Sequence, residues 1–235
     1  MTGPHRPLSI VHIGTHKTGT TAFQTYLTNN RDHFAAAGID VYLDPDTGRA
    51  QAHHFPLVTV RRALTFPLRR RLPDSTLDEA VEDLTDSISR YMAERRDVDV
   101  LISHEALSFI RSVDEVRHLQ RLVGDGRDVR ILLVLREPTA FLESWRAQLA
   151  KRGHNYGSQY STGIGYTEPD SWLVDYPRLI DCYRQVFGEE NVIVLSHEEE
   201  MASHGSVVPA LARECGLDPA LLPAGWEEQR NVRPR

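Results

Sequence analysis

Short apolar runs alternate along this chain with longer stretches whose apolar residues recur every three to four positions. That alternation predicts most of the elements. Residues 9–13 (SIVHI) form a brief, mostly apolar run that stops at Gly14, the pattern of a buried strand. Residues 20–37 read as a helix, with Ala22, Phe23, Tyr26 and Leu27 as its apolar stripe and Gly38 at its end. A second strand is expected at 39–42, followed by the turn cluster Asp44-Pro45-Asp46-Thr47-Gly48. An amphipathic helix at 77–96 leads to a strand at 98–103 (VDVLIS), and a helix at 113–123 closes at Gly124. The most hydrophobic run, 129–135 (VRILLVL), is expected to be the central strand, and Pro138 starts a helix reaching about residue 151. A helix at 172–187, a strand at 191–195 (NVIVL) and a helix at 207–215 complete the series.

Strand and helix alternate throughout, which implies a three-layer α/β/α domain with a mostly parallel central sheet, a P-loop NTPase-like architecture. The whole chain, 1–235, reads as one domain. Two segments fall outside the alternation. Residues 49–76 carry His53, His54 and a run of arginines from Arg61 to Arg71 between prolines, and residues 153–171 are rich in Gly, Ser and Tyr. Both are expected to be substrate-side loops. The tyrosines at 156, 160 and 166 would suit a lid, and the arginines read as a solvated face.

Composition narrows the function. The net charge of −6 argues against a general nucleic-acid binder. No apolar run approaches the roughly 20 residues that span a bilayer, and the polar start of the chain is unlike a signal peptide, so a cytoplasmic protein is expected. Cys182 and Cys215 lack metal-ligand spacing and read as buried thiols. His12 reads as a buried strand residue. His53-His54 is not read as a metal pair, because adjacent residues face different ways, but the two are candidates to line an acceptor pocket.

The segment with the most chemistry is the first strand-to-helix turn, Gly14-Thr15-His16-Lys17-Thr18-Gly19-Thr20-Thr21. Glycines allow a tight turn, amide N–H groups at a helix start attract anions, and threonine hydroxyls add donors. Gly14 and Gly19 have the separation of the nucleotide loop G-x-x-x-x-G-K-[ST], and Thr21 takes the hydroxyl slot. Lys17, however, precedes the second glycine, and Thr20 stands where that loop has its lysine.

This displaced-lysine form resembles the 5′-phosphosulfate loop of sulfotransferases that use 3′-phosphoadenosine-5′-phosphosulfate (PAPS), with a pattern close to P-K-[ST]-G-T-[TS]. Residues His16, Lys17, Thr18, Gly19, Thr20 and Thr21 match it, except that His16 replaces the first proline. The resemblance implies that Lys17 grips the 5′-phosphate and the bridging oxygen, that the loop amides, Thr20 and Thr21 hold the phosphate, and that the product is adenosine 3′,5′-bisphosphate (PAP). It also implies a 3′-phosphate site made of an arginine at a strand end and a serine eight residues later; Arg136 and Ser144 have that spacing. Arg230-Asn231-Val232-Arg233 weakly matches a late basic loop of such enzymes. For the general base, His104 and Glu105 follow the strand at 98–103. Bacterial members resembling this chain favour Glu105 and a cytosolic-type alignment favours His104.

The function implied is transfer of a sulfuryl group to an acceptor hydroxyl on a carbohydrate, glycolipid or small secondary metabolite, with no metal. Two alternatives stay open at this point: a metal-dependent phosphotransferase or nucleotide kinase of P-loop fold, and a non-catalytic nucleotide-binding module. Against a kinase, neither the strand ending at Ser103 nor the one ending at Leu135 finishes in an aspartate placed to hold Mg²⁺.

Overall fold

Five parallel strands make a single sheet in the computed structural model, which describes residues 6–72, 76–153 and 155–222. The strands are β1 (Leu8–His12), β2 (Ile39–Val41), β3 (Asp99–Ser103), β4 (Asp128–Leu135) and β5 (Val192–Ser196), in the order β2-β3-β1-β4-β5. Ile10 of β1 lies between Leu101 of β3 and Arg130 of β4. The middle strand is therefore β1. The more hydrophobic β4 is interior but one place off centre. Hydrophobicity marks burial on both faces, which any interior strand shares, and does not rank positions within the sheet.

The period of two divides the core. Val11, Val100, Ile102, Ile131 and Leu133 point into one cluster, and Ile10, Leu101, Leu132 and Val134 into the other. Against the second face lie α1 (Thr20–Asn29), α2 (Arg31–Ala36) and α9 (Val208–Glu214), through Phe23, Leu27, Phe34, Val208 and Leu211. The first face is covered by α3 (His54–Thr59), α4 (Leu77–Ala93), α5 (Val113–Val123), α6 (Pro138–Lys151) and α7 (Tyr176–Phe187). A further helix, α8 (His197–His204), leaves β5 at once and buries none of its residues. Its acidic composition, HEEEMASH, hides it from an apolar-period reading, while Ser196 caps its start by accepting from Glu199 N. These layers make the three-layer α/β/α architecture expected from the alternation.

Two expected helices are divided. The span 20–37 breaks at Asn30, whose side-chain amide donates to Tyr26 O at 2.9 Å and competes with helical continuation. The span 172–187 begins as a 3-10 turn, Trp172–Val174, and restarts at Asp175, which caps α7 by accepting from Arg178 N.

The arginine run is not a uniform solvated face. Arg69 is 8% exposed and donates to the carbonyl oxygens of Leu57, Val60, Arg61 and Leu64. Its guanidinium fork satisfies acceptors stranded at and beyond the carboxyl end of α3, an end that would otherwise be buried unpaired.

Candidate active site

All five strands point their carboxyl ends the same way, so the connections after β1, β2, β3 and β4 gather at one end of the sheet. The turn after β1 stays tied to β4: Ile13 N donates to Leu132 O and Thr15 N to Val134 O. It then swings into α1 through two left-handed residues, Lys17 at φ 68° and Gly19 at φ 83°. The helix start has no side-chain cap, so its first N–H groups face the turn unbonded by any capping side chain.

The inside of the turn is close-packed and polar. A Cβ on Gly14 would sit 2.8 Å from His12 Nε2, 3.1 Å from Thr18 Oγ1 and 3.3 Å from Thr20 Oγ1. The hydroxyl of Thr18 is spent on the loop itself, donating to Thr15 O at 2.5 Å. Thr20 Oγ1 is buried without a hydrogen-bond partner, as are His12 Nε2, His16 Nε2 and His104 Nε2. Four orphaned polar atoms on neighbouring segments are a costly concentration unless a polar ligand completes them. A phosphate-bearing ligand fits the uncapped N–H groups of the helix start and the Thr20 hydroxyl among them. Thr21, the second residue of α1, is exposed.

His16 is held between Phe109, at 5.0 Å between ring centroids, and Trp145 of α6, at 4.4 Å. Burial lowers its pKa to about 4, so the ring is neutral at pH 7. His12 is likewise pushed down to about 4 by burial, and its Nδ1 lies 2.9 Å from Ser103 Oγ across the sheet.

Arg136, directly after β4, reaches back to the turn: its Nη1 donates to Lys17 O at 3.1 Å. Its own carbonyl accepts from the Tyr176 hydroxyl at 2.8 Å, and its Nε lies 3.9 Å from Glu198 Oε1. Glu137 then caps α6, accepting from Thr139 N and Ala140 N, and those bonds pull its pKa down. Ser144 is buried on α6 beside Trp145. Among the described residues, no hydrogen bond joins it to Arg136. The fold thus joins Arg136 directly to the loop that carries Lys17, and brings the helix bearing Ser144 against His16.

The segment after β3 separates the two base candidates. His104 Nδ1 accepts from Ala106 N at 3.0 Å and so caps the 3-10 turn Glu105–Phe109. Burial lowers the pKa of His104 to about 4, and a neutral ring whose Nδ1 accepts must carry its proton on Nε2. His104 therefore presents a donor, not a lone pair. Glu105 is partly buried and accepts from Gln24 Nε2 at 3.2 Å. Burial opposes its ionisation, but the imidazoles of His104 and His16, which carry charge below about pH 4, its own backbone N–H and Gln24 outweigh that and bring its pKa to about 2. Glu105 is thus an anion ready to accept. Gln24 and Trp145 escaped sequence reading because an apolar-stripe analysis assigns helix residues to core or surface and says nothing of what they touch.

After β2, Asp44 is 1% exposed, with Oδ1 accepting from Asp46 N, Thr47 N and Thr47 Oγ1. His53, from the segment 49–76, lies with Nδ1 3.3 Å from Asp44 Oδ2 and its ring 5.2 Å from that of His104. The D-P-D-T-G turn was a legible signal for Asp44, but its partner was not. The loop before α7 packs inward, with Trp145 Nε1 donating to Ile164 O; Tyr156 is buried beneath the Arg70 guanidinium and Tyr160 is exposed. The segment Arg230–Arg233 lies outside the described residues.

No protein-family model and no curated protein matches the chain. Solved structures do. A sulfotransferase from Alicyclobacillus acidocaldarius superposes over 99% of this chain and 87% of its own, with TM-score 0.57 and 17% identity. The sulfotransferase domain from the curacin biosynthetic pathway superposes over 100% of this chain and 80% of its own, with TM-score 0.50 and 8% identity. The fold is sulfotransferase-like. At such identities the likeness concerns architecture, and the chemistry rests on the residues just described.

At the other end of the sheet, a cleft of about 390 Å³ is lined by Arg6, Arg127, Arg130, Gln120 and Asn191 among others. Arg127 is consumed there by Ser9 Oγ and the carbonyls of Leu8, Arg95 and Val98, so it braces the strand starts. Among the described residues no group of three or more His, Cys, Asp or Glu is placed to hold a metal ion, and no helix is long and apolar enough to cross a membrane.

Proposed function

We propose that this protein is a sulfotransferase that takes a sulfuryl group from PAPS and gives it to an acceptor hydroxyl on a carbohydrate, glycolipid or small secondary metabolite. The observation that carries the reading is the contact of Arg136 with the Lys17 carbonyl. It links one guanidinium to the ammonium-bearing loop at the sheet end where Glu105 follows β3.

Bound PAPS supplies an activated sulfuryl group on a phosphate that leaves as an anion. Lys17, the turn amides with His16, Thr18 and Gly19, and the hydroxyls of Thr20 and Thr21 hold the 5′ end and neutralise charge growing on that phosphate. Arg136 offers a donor fork, and Ser144 a hydroxyl, to the 3′-phosphate that distinguishes PAPS from ATP. Glu105 takes the proton of the acceptor hydroxyl on its carboxylate, and Gln24 keeps that carboxylate aimed. His104 serves this step through its cap on the Glu105 segment and its unpartnered Nε2–H, rather than as the base.

The test is transfer from PAPS across a panel of hydroxyl acceptors with EDTA present, read as PAP release. Lys17→Ala is expected to lower turnover by about 10²–10³-fold or more, and Glu105→Gln by about 10²–10⁴-fold. PAP should raise the melting temperature of the native protein, and this shift should collapse in Arg136→Ala. Retained turnover in Lys17→Ala, or activity that chelation removes, would overturn the reading.

A further inference from the structure

Two imidazoles meet at the mouth of this site with opposite hydrogen-bonding edges. The Ala106 N–H on Nδ1 of His104 leaves Nε2–H buried and without a protein partner. His53 is set the other way. Its Nδ1 lies 3.3 Å from Asp44 Oδ2, and that buried carboxylate oxygen has no hydrogen-bond partner among the described residues, so this ring nitrogen is the nearest group able to donate to it. The neighbouring His54 is the weaker claimant at 4.0 Å, with its Nδ1 at the Tyr42 hydroxyl and its Nε2 3.6 Å from Asp46. A carboxylate beside Nδ1 keeps the ring proton there and leaves a lone pair on Nε2. His53 has 19% of its side chain open to solvent and makes no other polar contact among the described residues. Ala52 N donates to Ser103 O at 3.0 Å, which pins His53 beside the end of β3.

We infer that His53, oriented by Asp44, is an acceptor-recognition residue whose bare Nε2 receives a hydrogen bond from a second hydroxyl of the acceptor. The adjoining His104 Nε2–H supplies the complementary donor. An edge that donates next to an edge that accepts matches neighbouring hydroxyls, each of which does both; an ammonium group offers only donors and a carboxylate only acceptors. The inference rests on the sulfotransferase reading for its reaction and names the acceptor class as a vicinal diol, such as a sugar ring.

Asp44→Asn tests it without removing a side chain from the ring. Three donors hold Oδ1, so the amide oxygen of the variant must take that place and its NH₂ must face His53 Nδ1. The ring proton then moves to Nε2, and His53 turns from acceptor to donor. The measurement is long-range ¹H–¹⁵N NMR of the full chain, titrated with cis-1,2-cyclohexanediol and with cyclohexanol, alongside transfer from PAPS to both. In the wild type the expected results are an Nδ1–H tautomer, a shift of His53 Nε2 on adding the diol but not the mono-ol, and a kcat/KM ratio favouring the diol by about tenfold or more. In Asp44→Asn the tautomer flips, the diol-induced shift disappears and the ratio falls to about one. His53→Phe, which keeps a ring against His104, gives the same loss of preference should Asp44→Asn fail to fold. An Nε2–H tautomer in the wild type, absence of the diol shift, or a preference surviving both substitutions overturns the inference. If neither alcohol nor any acceptor of the panel is sulfated, the transferase reading falls, and the titration shift still decides whether the subsite exists.

Discussion

Gly14→Ala probes the turn with a single methyl group. Gly14 does not use the left-handed conformation that favours glycine, so its cost is steric and can be worked from its neighbours. The new Cβ would lie 2.8 Å from His12 Nε2, with Thr18 Oγ1 at 3.1 Å and Thr20 Oγ1 at 3.3 Å, all inside ordinary contact distance. His12 has no room to withdraw: it is fully buried, its Nδ1 is at Ser103 Oγ, and its ring meets the Phe23 ring edge-on at 5.0 Å. Thr18 is tied to Thr15 O. Overpacking of this kind costs about 1–3 kcal/mol. The methyl returns about 0.4–1 kcal/mol by restricting the unfolded chain. A net loss of about 1.5 kcal/mol corresponds to roughly 3–6 °C in melting temperature for a chain of this size. Because relief must come from displacing the turn, the thermal shift produced by PAP should shrink as well. Calorimetry of both proteins with and without PAP measures both effects. A variant that melts within a degree of the wild type and keeps its PAP shift would show that the turn is neither packed nor used as described.

Arg69→Ala should cost about 3 kcal/mol or more, since the carbonyls of Leu57, Val60 and Leu64 lose this donor at a buried site while Arg61 O keeps only the Leu64 N–H; urea unfolding measures it, and a loss below about 1 kcal/mol would refute the bracing role. Acid should destabilise the protein early. His12, His16 and His104 are held near pKa 4 while their unfolded forms titrate near 6.5, so the unfolded chain binds more protons in between. Their contribution is complete above pH 6.5 and is lost as pH falls towards 4, with a slope approaching about 4 kcal/mol per pH unit for three sites. Proton uptake on unfolding near pH 5 of less than about one proton would contradict it.

The hydrophobic pattern of the sequence settled the fold class and the main elements, because periods of two and 3.6 report directly which faces must leave water. The Gly-Thr-His-Lys-Thr-Gly turn and the arginine after the strongest strand were legible because their chemistry lies within a few consecutive residues. Other features depended on residues far apart in the chain: the Arg136 bond to the Lys17 carbonyl, the clasp of Gln24 on Glu105, the packing of Trp145 on His16, and the pairing of Asp44 with His53. Local propensity carries no information about such partners, since they meet only when strand ends align at one edge of the sheet. The hydrogen-bonding states of His104 and Glu105 were set in the same way. The sequence offered both as bases and favoured Glu105, and one backbone N–H pointing at Nδ1, available only in the folded turn, made His104 Nε2 a donor.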